Sequence, residues 1–251
     1  MYINNVHILY YLGALIVGLF VGELVNWCNY RLPEYKKIFS KDIIEEYKNG
    51  KVKPNIILMV VTAIIYMLLI YATGVSHQGI IQNITLIKYL VLTPMLLSAF
   101  VIDYKLQIIP NRLNLTIFEL GLVFTFIEGL TNINAAINML LGMLAGGGIF
   151  LIITLIGGLI AGKEAMGFGD VKFMGALGLF FGLPNIIMIT VVSFLISAII
   201  SIILIVTKIR KADEYIPFGP FIVIACFIVM LIPFSSVLFV LLKIFTLGMI
   251  K

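Results

Sequence analysis

Long apolar runs, separated by polar breaks of alternating charge character, constrain this chain more than any other feature. They fall at about 6–26, 55–73, 84–102, 113–130, 135–160, 171–182 and 186–206, and an eighth opens near Pro217-Phe218-Gly219-Pro220. Lipid offers a backbone amide no partner, so a spanning segment must be a helix or part of a closed barrel. The runs are continuous rather than alternating, which excludes the barrel, and most reach the roughly 17–25 residues that a helical crossing needs. With 62% hydrophobic and only 12% charged residues, the chain lies far from the half-apolar, quarter-charged composition of soluble domains. The expected fold is all-α: a polytopic integral membrane protein of about eight transmembrane helices, nine segments if the tail beyond Pro233 counts as one. An interfacial helix is the favoured reading of that tail. The longest polar stretch, about 29–54, is too short for a core of its own. The chain therefore reads as one transmembrane domain over 1–251, with 27–54 as a loop between helices one and two.

The cations give an orientation. The loops after spans one, three, five and seven hold nearly all Lys and Arg, and those after spans two, four and six hold none. The positive-inside rule then puts the N-terminus outside and the cation-bearing loops in the cytoplasm. The net charge of +5 belongs to this topology. Without aromatic residues interleaved among the basic ones, it gives no reason to expect nucleic acid as a partner. Met1 leads into the first run with no Lys or Arg before it, the wrong flank for a cleaved signal peptide, so a retained first helix is expected. Gly18 and Gly22 have the small-xxx-small spacing that lets helices approach closely. Trp27, Tyr30 and Arg31 suit a membrane interface, with the cation snorkelling to water. A short surface helix is expected at 42–48. Cys28 and Cys226 are too far apart in sequence to make a disulfide framework or a CxxC metal site.

Two aspartates carry the candidate chemistry. Asp103 closes span three, and Asp170 opens span six within Ala165-Met-Gly167-Phe-Gly169-Asp170-Val-Lys172. By the cation pattern both lie at the cytoplasmic membrane edge. Two carboxylates in a low-dielectric site do not readily ionise together. The ionised one can take a proton from water while the protonated one polarises a carbonyl, which is peptide hydrolysis by general acid–base catalysis. Gly167 and Gly169 are expected to supply positive φ and room for a substrate strand. The plainer readings are an N-cap for Asp170 and a polar helix end for Asp103. Glu23 and Glu119 suit a proton relay or an ion site, Glu128 an outer interface, and His7 and His77 outer solvent. Gly167-x-Gly169 is not a dinucleotide fingerprint, because the third glycine and the βαβ unit are missing.

These residues together resemble the type IV prepilin peptidases, GxGD aspartyl proteases of the membrane. Gly18 through Asn26 and Tyr30-Arg31-Leu32-Pro33 resemble the family's N-terminal block. Asp103 with Ile109-Pro110-Asn111 resembles its first aspartate block. Gly167-Phe-Gly169-Asp170-Val-Lys172, followed by Gly175-Ala-Leu-Gly178, resembles the second, and Ile216-Pro-Phe-Gly-Pro220 the loop before the last helix. The resemblance implies Asp103 and Asp170 as the catalytic pair. It implies supporting or substrate-binding places for Gly167, Gly169, Lys172, Pro110, Asn111, Asn26 and Arg31. It implies prepilins or pseudopilins as substrates, cut after a glycine at the cytoplasmic face of the bacterial inner membrane. It also brings in methylation of the new N-terminus by S-adenosylmethionine, with no cofactor needed for proteolysis. Many members hold zinc through two CxxC pairs in the first cytoplasmic loop. Here 34–54 has no cysteine, so no tetrathiolate zinc site is expected. That loop must be ordered by other means or be mobile, and methylation is left open. Two other classes compete. A transporter running cations along Asp103, Asp170, Glu23 and Glu119 calls for inverted repeats and midplane acids, and the sequence offers neither. A non-catalytic component of a pilus or secretion machine is the other.

Overall fold

The computed structural model describes residues 2–4, 6–38, 43–75, 80–161, 166–209 and 216–246. His77 and Ala165, named above, lie outside them. The chain divides into two compact units, Met1–Ile117 and Phe118–Lys251, and each is described by itself.

The first unit opens on a small antiparallel ribbon, β1 (Tyr2–Ile3) and β2 (Val6–His7). Asn4 Nδ2 ties it to the Tyr71 carbonyl at 2.8 Å. Then come α1 (Ile8–Arg31), α2 (Ile43–Lys48), α3 (Ile56–Thr73), α4 (Ile80–Leu106) and the first turns of α5 (Asn111–Thr131). The 42–48 surface helix is present as α2. The glycine spacing in α1 works as expected, because a Cβ on Gly18 would sit 2.5 Å from the Ala63 Cα of α3, and one on Gly22 would overlap the Met59 backbone. Asn55 caps α3 by accepting from the Leu58 amide at 3.1 Å, and Gly74 ends it with φ 74°. Pro94 lies inside α4. A helical proline leaves the carbonyl four residues earlier without its amide donor. That carbonyl belongs to Leu90, and the Tyr66 hydroxyl of α3 donates to it at 2.8 Å. One hydrogen bond repairs α4 and joins it to α3.

The second unit holds the rest of α5, α6 (Ile133–Ala161), α7 (Phe168–Val206), α8 (Gly219–Leu231) and α9 (Phe234–Phe245). α7 is not one rod, because Gly182 has φ 71° and ψ 174°, a conformation only glycine adopts cheaply. Gly142 of α6 abuts both Gly178 and Gly182, and Gly146 abuts both Met174 and Ile186. Going up α6, the partners before Gly182 decrease in number while those after it increase. The arm 168–181 is therefore antiparallel to α6 and the arm 183–206 parallel to it, a hairpin with Gly182 at its apex. Asn138 Oδ1 accepts from the Leu183 amide at 3.2 Å, and Asn185 Nδ2 donates to the Phe181 carbonyl at 3.0 Å. These bonds satisfy groups that the break leaves unpaired. The turn expected at 183–185 is thus present one residue earlier, with Pro184 in the first turn of the second arm, where a missing amide is tolerated. Phe150, Phe194 and Phe218 cluster with ring centroids 4.9–5.8 Å apart, joining α6, the second arm and the start of α8.

Six of the described helices are long and apolar enough to cross a membrane, and α8 and α9 are shorter. At 1.5 Å per residue, α9 reaches about 18 Å, short of the roughly 30 Å hydrocarbon core. The all-α, polytopic membrane reading is the fold that forms.

Candidate active site

The second unit presents Asp170 in the first turn of α7. That helix begins at Phe168, with Gly167 as its cap at φ −67° and ψ 137° and no side-chain capping bond. The Asp170 amide donates to the Gly167 carbonyl at 3.0 Å. Two expectations change here. Asp170 is not the N-cap, because the helix starts before it. Neither Gly167 nor Gly169 uses positive φ: Gly167 is extended and Gly169 is helical, and among the described glycines only Gly50, Gly74 and Gly182 have φ above zero. Inside the first turn the Asp170 carboxylate still benefits from the positive end of the helix dipole.

A glycine seam fixes the height of that turn. A Cβ on Gly178 would penetrate the Gly142 backbone, and one on Gly146 would sit 2.5 Å from the Met174 carbonyl. Gly147 and Gly175 are nearest neighbours in the same seam. In lipid, where burial drives helices together weakly, such backbone approach is what holds them. The seam clamps the arm bearing Asp170 against α6. Lys172 points outward, its Nζ 5.3 Å from the Phe168 ring centroid.

The first unit presents Asp103 in the last turn of α4. The helix runs on to Leu106, so Asp103 lies inside the helix end rather than beyond it. Its carbonyl accepts from the Gln107 amide at 2.8 Å, and Gln107 stops the helix at φ 56°. Pro110 is buried, and its carbonyl accepts from the Leu113 and Asn114 amides at 3.0 and 3.2 Å. Asn111 is exposed and is the first residue of α5. Arg112 Nη1 donates to the Tyr35 carbonyl at 2.8 Å, tying this turn to the loop after α1.

Burial separates these two acids from all the others. Asp103 is 3% exposed and Asp170 4%, and no other carboxylate among the described residues is buried. A buried carboxylate is expensive unless it is partnered or neutralised, and inside a membrane segment it marks function by default. Both also engage in further polar interactions. Glu119, considered above for a relay, is exposed on α5. His7 caps α1, its Nδ1 accepting from the Leu9 amide at 3.4 Å.

Asn26 and Arg31 hold the described parts of the segment after α1 through hydrogen bonds and an ion pair. Helix α1 continues through 27–31, so the loop starts later than expected. Arg31 does not snorkel. It is 3% exposed, and its Nη2 meets Glu46 Oε2 of α2 at 2.9 Å. Its Nη1 donates to the Lys37 carbonyl at 2.6 Å, and its guanidinium lies 4.5 Å from the Trp27 ring centroid. Trp27 stacks on Tyr47 at 5.6 Å, and Tyr47 donates to Glu23. Asn26 Nδ2 donates to Glu23 at 3.1 Å and to the Lys53 carbonyl at 3.0 Å. The acid read from sequence as a relay candidate, Glu23, instead receives loop hydrogen bonds. Glu46, Tyr47 and Arg112 were missed because their partners are distant in sequence, although the i, i+3, i+4 spacing of Trp27, Tyr30 and Arg31 hinted at a shared face. As to zinc, no three His, Cys, Asp or Glu side chains converge among the described residues. Where α1 and α4 end and α3 begins, the first unit has an open cavity of about 460 Å³.

Among the described residues of this polytopic helical membrane protein, each unit holds one buried carboxylate near a helix end, Asp103 in the first and Asp170 in the second. Residues 90–202, a segment that contains both Asp103 and Asp170, match the type IV leader peptidase family. Relatives named prepilin leader peptidase/N-methyltransferase occur in Aeromonas hydrophila (32% identical over 57% of this chain and 48% of the relative) and Xanthomonas campestris (31%, over 67% and 55%). Another is found in Escherichia coli (33%, over 53% and 57%). The chain thus spans about half the length of the curated relatives it matches. No solved structure matches it. The family match speaks against the transporter reading.

Proposed function

We propose that this protein is a membrane-embedded aspartyl endopeptidase that removes the leader peptide of type IV prepilins or pseudopilins, cutting after a glycine. Asp103 and Asp170 act as its catalytic pair. One carboxylate, ionised, takes a proton from the attacking water. The other, protonated, donates a hydrogen bond to the scissile carbonyl and later a proton to the leaving amine. The observation that carries this reading is that the only buried carboxylates among the described residues are these two, and both lie within the family segment. The cation pattern supports a cytoplasmic active face, an outside N-terminus and residence in the bacterial inner membrane.

The test is cleavage of a candidate prepilin by purified protein in detergent, with N-terminal sequencing of the product. Asp103→Asn and Asp170→Asn are each expected to abolish cleavage while insertion and helicity are retained. Wild-type cleavage by either variant refutes the assignment.

Methylation of the new N-terminus is a second reading, supported by the relatives' names. S-adenosylmethionine would supply the methyl group. A mass gain of one methylene on the processed pilin, dependent on that donor, supports it. An unchanged mass removes it.

A further inference from the structure

The cavity of the first unit has a composition that the peptidase reading does not use. Asn29, near the end of α1, lines it, and both polar atoms of the Asn29 amide are shielded from solvent with no hydrogen-bond partner among the described residues. Unpartnered buried amides are few in folded proteins, and each calls for an explanation such as an absent ligand. Around the cavity stand three ammonium groups, Lys51, Lys53 and Lys105. All three are exposed, and among the described residues none is paired with a carboxylate. The one acid on the wall, Glu34, is engaged by Lys36 at 2.5 Å. On the α4 side the wall is hydrocarbon, from Val101, Ile102 and Leu106, and it continues into a span-length helix.

Cationic excess, an amide lacking partners and an apolar wall at the helix ends together suit an amphiphile with an anionic head. We propose that this cavity binds the phosphate-bearing headgroup of an anionic phospholipid. The lysine ammonium groups pair with the phosphate oxygens, and Asn29, after rotation of its amide, donates to one of them. Lysine serves phosphate as a mobile point charge, and several lysines at a membrane surface add roughly independently. The α4 wall takes the first carbons of the acyl chains, which favours a lipid over a soluble phosphate ester. A cationic ligand is opposed by the three ammonium groups. The proposal does not rest on the peptidase reading.

The test uses the full chain in a neutral detergent and fluorescent phosphatidylglycerol and phosphatidylcholine as probes. Preference for phosphatidylglycerol is expected on the order of a hundredfold, from three lysines near one phosphate. The Lys51→Gln/Lys53→Gln/Lys105→Gln variant loses that preference, and the corresponding triple Arg variant keeps it. Asn29→Asp, nearly isosteric and negatively charged, weakens phosphatidylglycerol binding without disturbing helicity. Undiminished preference in the triple Gln variant overturns the proposal. Displacement of the lipid probe by inorganic phosphate or glycerol phosphate at low millimolar concentration overturns the lipid assignment in favour of a soluble ester. Displacement by S-adenosylmethionine assigns the cavity to a methyl donor instead.

Discussion

Arg31→Met isolates what orders the loop between α1 and α3. The guanidinium is almost fully buried, Glu46 is 13% exposed, and the pair is closed by Nη2 at 2.9 Å and Nε at 3.3 Å. Removing one partner of a buried ion pair costs about 3–5 kcal/mol, because the remaining charge is left uncompensated. The partial exposure of Glu46 puts this case at the lower end, about 3 kcal/mol, stacking on Trp27 included. Each 1.4 kcal/mol is tenfold, so amides protected by the closed loop should exchange roughly a hundredfold faster. Suitable reporters are the Lys36 amide, bonded to the Arg31 carbonyl at 3.2 Å, and the Lys51 amide, bonded to the Glu46 carbonyl at 3.0 Å. Hydrogen exchange read by mass spectrometry over 32–54, with α3 and α4 as internal controls, measures the effect. Arg31→Lys should be intermediate, since an ammonium lacks the planar fork. Adding Glu46→Met to Arg31→Met should restore most of the protection, because it removes the stranded charge. Exchange within twofold of wild type in Arg31→Met would refute the claim that this pair holds the segment after α1 in place.

Two further outcomes follow from the geometry. Burial, then the bond to Glu23, raises the Tyr47 phenol above its ordinary value of 10.0. The neutral phenol is thus favoured in the folded loop, and the stability it contributes is complete below about pH 10 and declines as pH rises above it. Loop protection, with exchange corrected for its base-catalysed intrinsic rate, should fall at alkaline pH in wild type but not in Tyr47→Phe; matching profiles would contradict the assignment. Gly178→Ala drives a methyl into the Gly142 backbone, and overpacking of this kind costs about 1–3 kcal/mol. Gly182→Ala adds the strain of φ 71° and a contact 2.5 Å from Asn138 Nδ2. Both should lower the thermal midpoint in detergent and slow prepilin cleavage by displacing the arm that carries Asp170, and an unchanged midpoint with full activity would show that the seam does not position it.

The membrane class, the helix count to within one or two, close helix approach at Gly18 and Gly22, and the two aspartates worth testing were all legible in the sequence. Each rests on a local signal: run length, spacing of small residues, or a carboxylate at the edge of an apolar run. Sequence alone did not reveal that Glu23, Asn26 and Arg31 serve the loop. Their partners Tyr47, Lys53 and Glu46 come from after the loop has turned back, and pairings across such a gap leave no periodic trace. The same limit explains the misreading of Gly167 and Gly169. A Gly-x-Gly sequence permits positive φ, but whether the permission is used depends on where the next helix nucleates, and here it nucleates at Phe168.

By itself the sequence determined that this chain is a bundle of membrane helices with Asp103 and Asp170 at helix ends, because continuous apolar runs can cross hydrocarbon only as helices and hydrocarbon tolerates few charges. Only the tertiary structure decided which acids are buried and which bind a loop. It also decided that α7 folds back at Gly182 and that an ion pair and stacked rings join α1 to α2. Burial and partnership are properties of what surrounds a residue, and neighbours far along the chain appear only once the helices have packed.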